Sequence, residues 1–258
     1  MSTPSLLAAV RNAYRVFGRR SAPTLPLNVC TGCCMAPELE QQMRRLPLQQ
    51  LGAHHFWEYA DGAMGDLVQP AAEIKYLLPR WLELLAEGHE LRHSLEITLD
   101  RVGRCPEGSF TEAERKVLND FMLALFDAHM SGQACKEGQW YRADDPIGLL
   151  LMADYAGLEV QPLLQRWTEM GHPESTLAFV HAIYWDYLPT GDIGSAFAGE
   201  RTAFRALMRE WLEDPATKAA FTRKLLDADL LARVAQHPPC GRTSIATTVD
   251  AVFDQMTV

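Results

Sequence analysis

The sequence predicts an all-α protein, built as a multi-helix bundle or a short α-solenoid-like array of about ten helices. Apolar residues recur at the spacing of one broad helical face, most clearly over residues 71–86. Signals that start and stop helices also repeat along the chain, with capping residues or prolines in front and glycines behind. Short antiparallel helices joined by brief turns are typical of bundles and solenoids.

In the first half, a helix is predicted from Pro4 to Gly18, and a loop follows over residues 19–36. The next predicted helices open at Pro37, cover about residues 53–64 and 71–86, and start at Thr111 with Glu114 in a capping box. Pro79 predicts a kink, or a helix boundary near Leu78. Residues 94–101 alternate apolar and polar side chains, so a strand and a helix both remain open there.

The second half of the chain repeats the same helix start and stop signals. Its predicted helices run from Pro146 to Gly157, over residues 160–170, from Pro173 to about residue 188, over 195–213, from Pro215 to about 235, and over 245–256. The chain is predicted to form a single helical domain over residues 1–258, or two packed subdomains, 1–132 and 133–258.

Composition excludes several classes of protein. The 33 acidic residues exceed the 24 basic ones, for a net charge of −9, and 48% of the residues are hydrophobic. This is the profile of a soluble globular chain, and its net negative charge argues against non-specific binding of nucleic acid. No apolar run reaches the roughly 20 residues that a bilayer requires, and no signal peptide is recognised. The sequence therefore predicts a cytoplasmic protein without membrane contact.

The negative charge is concentrated in one segment. Residues 144–200 hold nine acidic residues and one basic residue, Arg166. The segment can be an ordinary solvated face, or a docking surface for a basic partner that charge steers into place. The residues predicted to contact such a partner are Asp144, Asp145, Asp154, Glu159, Glu169, Trp185, Asp186 and Asp192.

Two clusters could bind a metal ion. His89-Glu90-Leu91-Arg92-His93 matches the HExxH pattern, in which two histidines on one helix face bind zinc and the glutamate polarises a water. Arg92 and the preceding Gly88 both depart from that pattern, which favours a chance match. Cys30, Cys33 and Cys34 form the other cluster, with three readings left open: buried structural thiols, a metal site, or a redox pair. No other catalytic motif is present, so the sequence predicts a non-enzyme, with zinc as the sole cofactor to consider.

Residues 8–130 carry a distinctive block. It comprises Tyr14 and Phe17, the turn Cys30-Thr31-Gly32-Cys33-Cys34-Met35, then Glu38, Glu40, Leu48, Leu51 and Tyr59, and the helix Ile74-Lys75-Tyr76-Leu77-Leu78-Pro79-Arg80-Trp81-Leu82-Glu83-Leu84. The block resembles a bacterial family of uncharacterised helical proteins that carry a CxxCC turn and a KYxLPRxLEL helix. Some members resemble immunity proteins of secreted interbacterial toxins, including type VI nuclease effectors.

The resemblance implies a cytoplasmic immunity protein that binds and neutralises a cognate toxin, a basic nuclease. The family supplies no catalytic residues to transfer. Two alternatives remain open at this stage. One is a zinc-binding protein or metallohydrolase that uses the cysteine cluster or His89 and His93, and the other is a helical interaction scaffold.

Overall fold

The computed structural model describes residues 4–131, 145–236 and 244–257. Thirteen α-helices and no strand are present within these residues, which confirms the all-α prediction. The chain divides into two compact units. The described residues of unit 1 are 4–129 and 148–159, and those of unit 2 are 130–131, 145–147, 160–236 and 244–257. The boundary predicted between residues 132 and 133 lies outside the described residues.

The first seven helices belong mainly to unit 1. They are α1 (Pro4–Phe17), α2 (Pro37–Arg45), α3 (Ala53–Asp61), α4 (Ala71–Ala86), α5 (Asp100–Gly103), α6 (Glu112–Met130) and α7 (Pro146–Tyr155). Short 3-10 turns at Leu48–Gln50 and Leu95–Ile97 link some of them.

The other six helices belong to unit 2. They are α8 (Gln161–Glu169), α9 (Pro173–Ala182), α10 (Thr202–Glu213), α11 (Pro215–Leu225), α12 (Ala228–Gln236) and α13 (Ile245–Thr257). A π-helical turn at Ile183–Tyr187 extends α9, and a 3-10 turn at Ala196–Ala198 precedes α10. Among the described helices, none combines the length and the apolar character needed to cross a bilayer.

Helix α4 forms the centre of the unit 1 core. Leu77, Leu78 and Trp81 are completely buried, and α1 packs along this helix. The rings of Phe56 and Tyr59 on α3 lie 5.5 and 5.8 Å from the ring of Trp81. Burying such large side chains contributes about 1.5–3 kcal/mol each, so this contact fixes α3 against α4.

An aromatic cluster forms the core of unit 2. Phe179 on α9 and Phe221 on α11 stack with their ring centres 3.6 Å apart, and both are fully buried. Trp167 on α8 stacks on Trp211 of α10 at 5.4 Å. The indole N–H of Trp167 donates to the carbonyl of Ser175 at 3.0 Å, which satisfies the polar atom of a buried ring.

The structure decides between alternatives at two places and corrects one prediction. Helix α4 continues without a boundary at Leu78, because Pro79 and the residues around it are buried in the core and tertiary packing outweighs the proline's lost hydrogen bond. Residues 94–101 contain no strand. A 3-10 turn at Leu95–Ile97 leads into α5, and Leu95 and Leu99 are both buried. The helix predicted from Pro215 to residue 235 is two helices, α11 and α12.

Candidate functional site

The cysteine turn, residues 30–34, brings three sulfur atoms together. The Sγ atoms of Cys30 and Cys33 lie 3.5 Å apart, and those of Cys33 and Cys34 lie 3.6 Å apart. All three are within 4.8 Å of one another. Among the described residues, no other group of three His, Cys, Asp or Glu side chains is close enough to hold a metal ion.

Backbone hydrogen bonds close the cysteine turn. The N–H of Met35 donates to the carbonyl of Cys30 at 3.0 Å, and the N–H of Cys30 donates to the carbonyl of Ala63 at 2.7 Å. Helix α2 begins at Pro37, directly after the turn. The turn is therefore held between the start of α2 and the segment that follows α3.

Gly62 lets that segment approach the turn. A Cβ atom at residue 62 would lie 2.7 Å from Cγ2 of Val29, 2.8 Å from the carbonyl oxygen of Glu58 and 3.4 Å from Cβ of Cys34. Real side chains do not tolerate the first two distances, so only glycine fits at this position without displacing its neighbours.

Arg101, on α5, connects the cysteine turn to the neighbouring segments through hydrogen bonds. Its guanidinium group donates to the carbonyl of Asn28 at 2.8 Å, the side-chain oxygen of Gln69 at 2.9 Å, the carbonyl of Tyr59 at 2.6 Å and the carbonyl of Gly62 at 2.7 Å. The residue is only 1% exposed. Burial lowers the pKa of Arg101, and the guanidinium group also stacks 4.2 Å from the centre of the Tyr59 ring.

Asn28 and Glu73 complete this buried network. The backbone N–H of Asn28 donates to Glu73 at 3.0 Å, and its side chain exchanges hydrogen bonds with the backbone of Asp66 at 2.7 and 3.1 Å. Gln69 and the hydroxyl of Tyr59 both donate to the carboxylate of Glu73. The chain that leads into the cysteine turn is therefore fixed before any ligand binds.

The cysteine turn also changes the acidity of its thiols. Backbone N–H groups of Cys33 and Gly32, together with the side chain of Cys33, lower the pKa of Cys30 to about 7. Hydrogen bonds from the side chain of Cys33 to Cys30 and Cys34, with the charges of these neighbours, raise the pKa of Cys33 to about 11. The lowered pKa favours the thiolate form of Cys30, which is the form that binds metal ions.

Cys105, the remaining cysteine that the structure describes, does not join this group. Cys105 is a partly buried thiol that donates to the carbonyl of Arg101 at 3.5 Å. Burial, followed by the nearby charge of Glu73, raises the pKa of Cys105 to about 12. Cys135 and Cys240 lie outside the described residues.

The HExxH match is not on a helix, which corrects the premise for its zinc chemistry. Helix α4 ends at Ala86, and Gly88 leaves the helical conformation with a φ of +84°. The side chains of His89 and His93 are 49% and 53% exposed. His89 lies 3.4 Å from Glu87, and Nδ1 of His93 contacts the carboxylate of Asp61. The two rings therefore share no helix face and no ligand set within the described residues.

The predicted acidic surface is divided between the two units. Asp154 and Glu159 belong to unit 1, whereas Asp145, Glu169, Trp185, Asp186 and Asp192 belong to unit 2. Asp144 lies outside the described residues.

Ion pairs reduce the negative charge within unit 2. Asp192 accepts hydrogen bonds from Arg205 and, at 3.2 Å, from Arg209. The hydrogen bond from Arg205 lowers the pKa of Asp192. Glu174 pairs with Arg233 in the same way. All three arginines belong to helices that follow the acidic segment in the chain. The excess of acidic residues in the sequence therefore overstates the negative charge at this surface.

Trp185 is an exposed aromatic residue of the predicted surface. Its side chain is 54% exposed on the π-helical turn, where the N–H of Leu188 donates to the carbonyl of Ile183 at 2.9 Å. The ring of Tyr184 meets it edge-on at 4.9 Å. Burial, and then the charge of Asp145, raise the pKa of the neighbouring Asp186. An exposed tryptophan supported by a second ring is a frequent feature of binding surfaces.

Comparison with models of known protein families, with curated proteins and with solved structures finds no match to this chain.

Proposed function

We propose that this chain binds a zinc ion through the thiolates of Cys30, Cys33 and Cys34. The spacing of the three sulfur atoms carries the proposal. Sulfur ligands at the usual Zn–S distance of about 2.3 Å stand about 3.8 Å apart in a tetrahedral site. The separations of 3.5 and 3.6 Å in the cysteine turn are close to that value.

The chemistry of the donors supports the same conclusion. Thiolates are soft ligands that select zinc and copper(I) over magnesium and calcium. A bound divalent cation stabilises the thiolate form of every ligand, so it also overcomes the raised pKa of Cys33. Because Arg101 and Asn28 already fix the turn, we expect zinc to bind a preformed site rather than to drive the folding of unit 1.

Metal analysis of protein purified without a histidine tag tests this proposal. We expect one equivalent of zinc, lost in Cys30→Ser and in Cys34→Ser. Cys105→Ser is the matched control, because it removes a thiol of the same unit that lies outside the cluster. Less than about a tenth of an equivalent in the wild-type protein, unchanged after incubation with zinc and removal of the excess, would contradict the proposal.

A second proposal concerns partner binding. We propose that the chain is a cytoplasmic immunity protein that occludes a basic, secreted nuclease toxin and makes no direct contact with nucleic acid. The resemblance of residues 8–130 and the exposure of Trp185 support it. The contact surface that we favour lies in unit 2 and comprises Asp145, Glu169, Trp185 and Asp186. It leaves out Asp192, which is paired with Arg205 and Arg209. An exposed aromatic ring among carboxylates suits a partner with basic residues.

Co-expression with the product of the neighbouring gene tests the immunity role. We expect the chain to rescue growth and to co-purify with the toxin. Trp185→Ala should weaken the complex by about 2 kcal/mol, roughly thirtyfold, since a central tryptophan often dominates an interface. Leu231→Ala removes another exposed apolar side chain of unit 2, 45% exposed on α12, and should leave the affinity unchanged. Toxicity without rescue would refute the role, and a stable complex with a non-toxic partner would instead indicate a helical scaffold.

A further inference from the structure

His93 lies close to the backbone segment, residues 61–63, that packs beside the cysteine turn. Nδ1 of His93 contacts the carboxylate of Asp61, the last residue of α3. The two residues that follow Asp61 both touch the cysteine turn. Gly62 packs against the side chain of Cys34, and the carbonyl of Ala63 accepts the hydrogen bond of Cys30. His93 is thus joined to the thiol cluster through a single short backbone segment.

The pair formed by Asp61 and His93 has the form of a prepared metal ligand. Histidines that bind metals commonly give one ring nitrogen to a carboxylate, which fixes the tautomer and leaves the other nitrogen for the ion. The guanidinium group of Arg92 lies 3.8 Å from the same carboxylate. Among the described residues, Nε2 of His93 has no hydrogen-bond partner.

We infer that His93 supplies the fourth ligand, and that the zinc site is a closed set of three cysteines and one histidine. The inference rests on the zinc site proposed above. The ring nitrogens of His93 lie outside the group of three sulfur atoms, so zinc binding must draw the side chain inward. The side chain is 53% exposed and lies in the loop between α4 and the turn at Leu95–Ile97, so no core packing opposes this movement.

A closed site has a definite chemical consequence. With three thiolates and a neutral imidazole around Zn²⁺, no position remains for water, and sites of this composition hold structure rather than activate a nucleophile. We therefore expect zinc to clamp the loop around His93 to the cysteine turn. A metallohydrolase would need an open position, which His93 occupies.

Cobalt substitution tests this assignment. Co²⁺ added to metal-free protein should give the strong absorption of three thiolate ligands and the visible bands of a tetrahedral ion. In His93→Ala, we expect the thiolate absorption to remain, the visible bands to shift as water replaces nitrogen, and zinc affinity to fall at least tenfold. His89→Ala is the matched control, since His89 is equally exposed in the same loop but pairs with Glu87. It should behave as the wild-type protein.

A second readout identifies the ligand directly. With ¹¹³Cd in the site, scalar coupling between cadmium and the ring protons of His93 is expected. An unchanged cobalt spectrum and unchanged zinc affinity in both His93→Ala and His93→Gln would overturn the assignment while leaving the three-thiolate site intact. Failure of the wild-type protein to bind cobalt, cadmium or zinc would overturn the zinc site itself.

Discussion

Replacing Arg101 by methionine should destabilise unit 1 strongly. The guanidinium group makes four hydrogen bonds to oxygen atoms of Asn28, Gln69, Tyr59 and Gly62, and the residue is 1% exposed. Hydrogen bonds from a charged donor contribute about 1.5–3 kcal/mol each, or about 6–12 kcal/mol for the four. Methionine removes the cost of burying a charge, which returns several kcal/mol. We expect a net loss of about 3 kcal/mol or more in the free energy of unfolding.

Urea unfolding followed by hydrogen exchange in peptides of residues 4–129 measures this loss. Arg104→Met is the control, because Arg104 is 49% exposed and pairs only with Asp100 among the described residues. The control should change the free energy of unfolding by less than about 1 kcal/mol. An effect of Arg101→Met that is no larger than that of the control would refute the idea that this network holds the cysteine turn.

Three further predictions concern stability. Phe179→Ala should cost about 3–5 kcal/mol in unit 2, measured by urea unfolding, because it opens a cavity in the aromatic cluster; a loss below about 1 kcal/mol would contradict this packing. Glu114→Gln should cost about 3 kcal/mol, since the buried Lys75 loses a partner at 2.8 Å; a thermal unfolding midpoint equal to that of the wild type would count against it. Burial alone would raise the pKa of Glu40 and Glu114, but hydrogen bonds from Arg44 and Lys75, backbone hydrogen bonds and the neighbouring positive charges together outweigh it and lower both pKa values. Their contribution is therefore complete above the unfolded-state pKa of about 4.3 and is lost as the pH falls through the lowered pKa values. A double Gln variant should show a flatter acid unfolding profile, and a profile as steep as the wild type's would be inconsistent with this reasoning.

The starts of helices were the most predictable features of the fold. Pro37, Pro146, Pro173 and Pro215 each begin a helix, as the sequence indicates. The capping box at Thr111 is present, with hydrogen bonds of 2.8 and 3.2 Å between Thr111 and Glu114. These signals are local, because a cap depends on residues within one turn, and such signals can be interpreted without knowledge of tertiary packing.

Features that depend on packing were not predictable in the same way. Residues 94–101, where the sequence left a strand and a helix open, form a 3-10 turn and the start of α5, and the HExxH match, which the sequence favours as a chance match, is not on a helix. At residues 94–101 a short pattern was compatible with two structures, and the burial of Leu95 and Leu99 accompanies the helical one. At the HExxH match the break lies at Gly88, which leaves the helical conformation. Pro79 illustrates the same point, since its position in the core of unit 1 keeps α4 intact.

The candidate site shows the same difference between local features, which the sequence predicts, and features that depend on packing. The three cysteines are close in the chain, so their spacing predicted a common location. The network beneath them joins Asn28, Tyr59, Gln69, Glu73 and Arg101, which are single polar residues spread over more than seventy positions. No periodic pattern marks residues of this kind. The charge of the acidic segment was equally hard to assess, because its arginine partners come from helices after residue 200.

The π-helical turn at Ile183–Tyr187 has an evolutionary consequence. Such a turn contains one residue more than the α-helix around it, so a single inserted codon produces it and a single deletion removes it. Deletion of one residue just before Trp185 would let the α9 helix continue regularly, and the later side chains of that helix would rotate by about 100° around its axis. Trp185 would then leave the position it now presents to solvent. A lineage can therefore gain or lose this exposed ring through changes in chain length, without any substitution of the tryptophan itself.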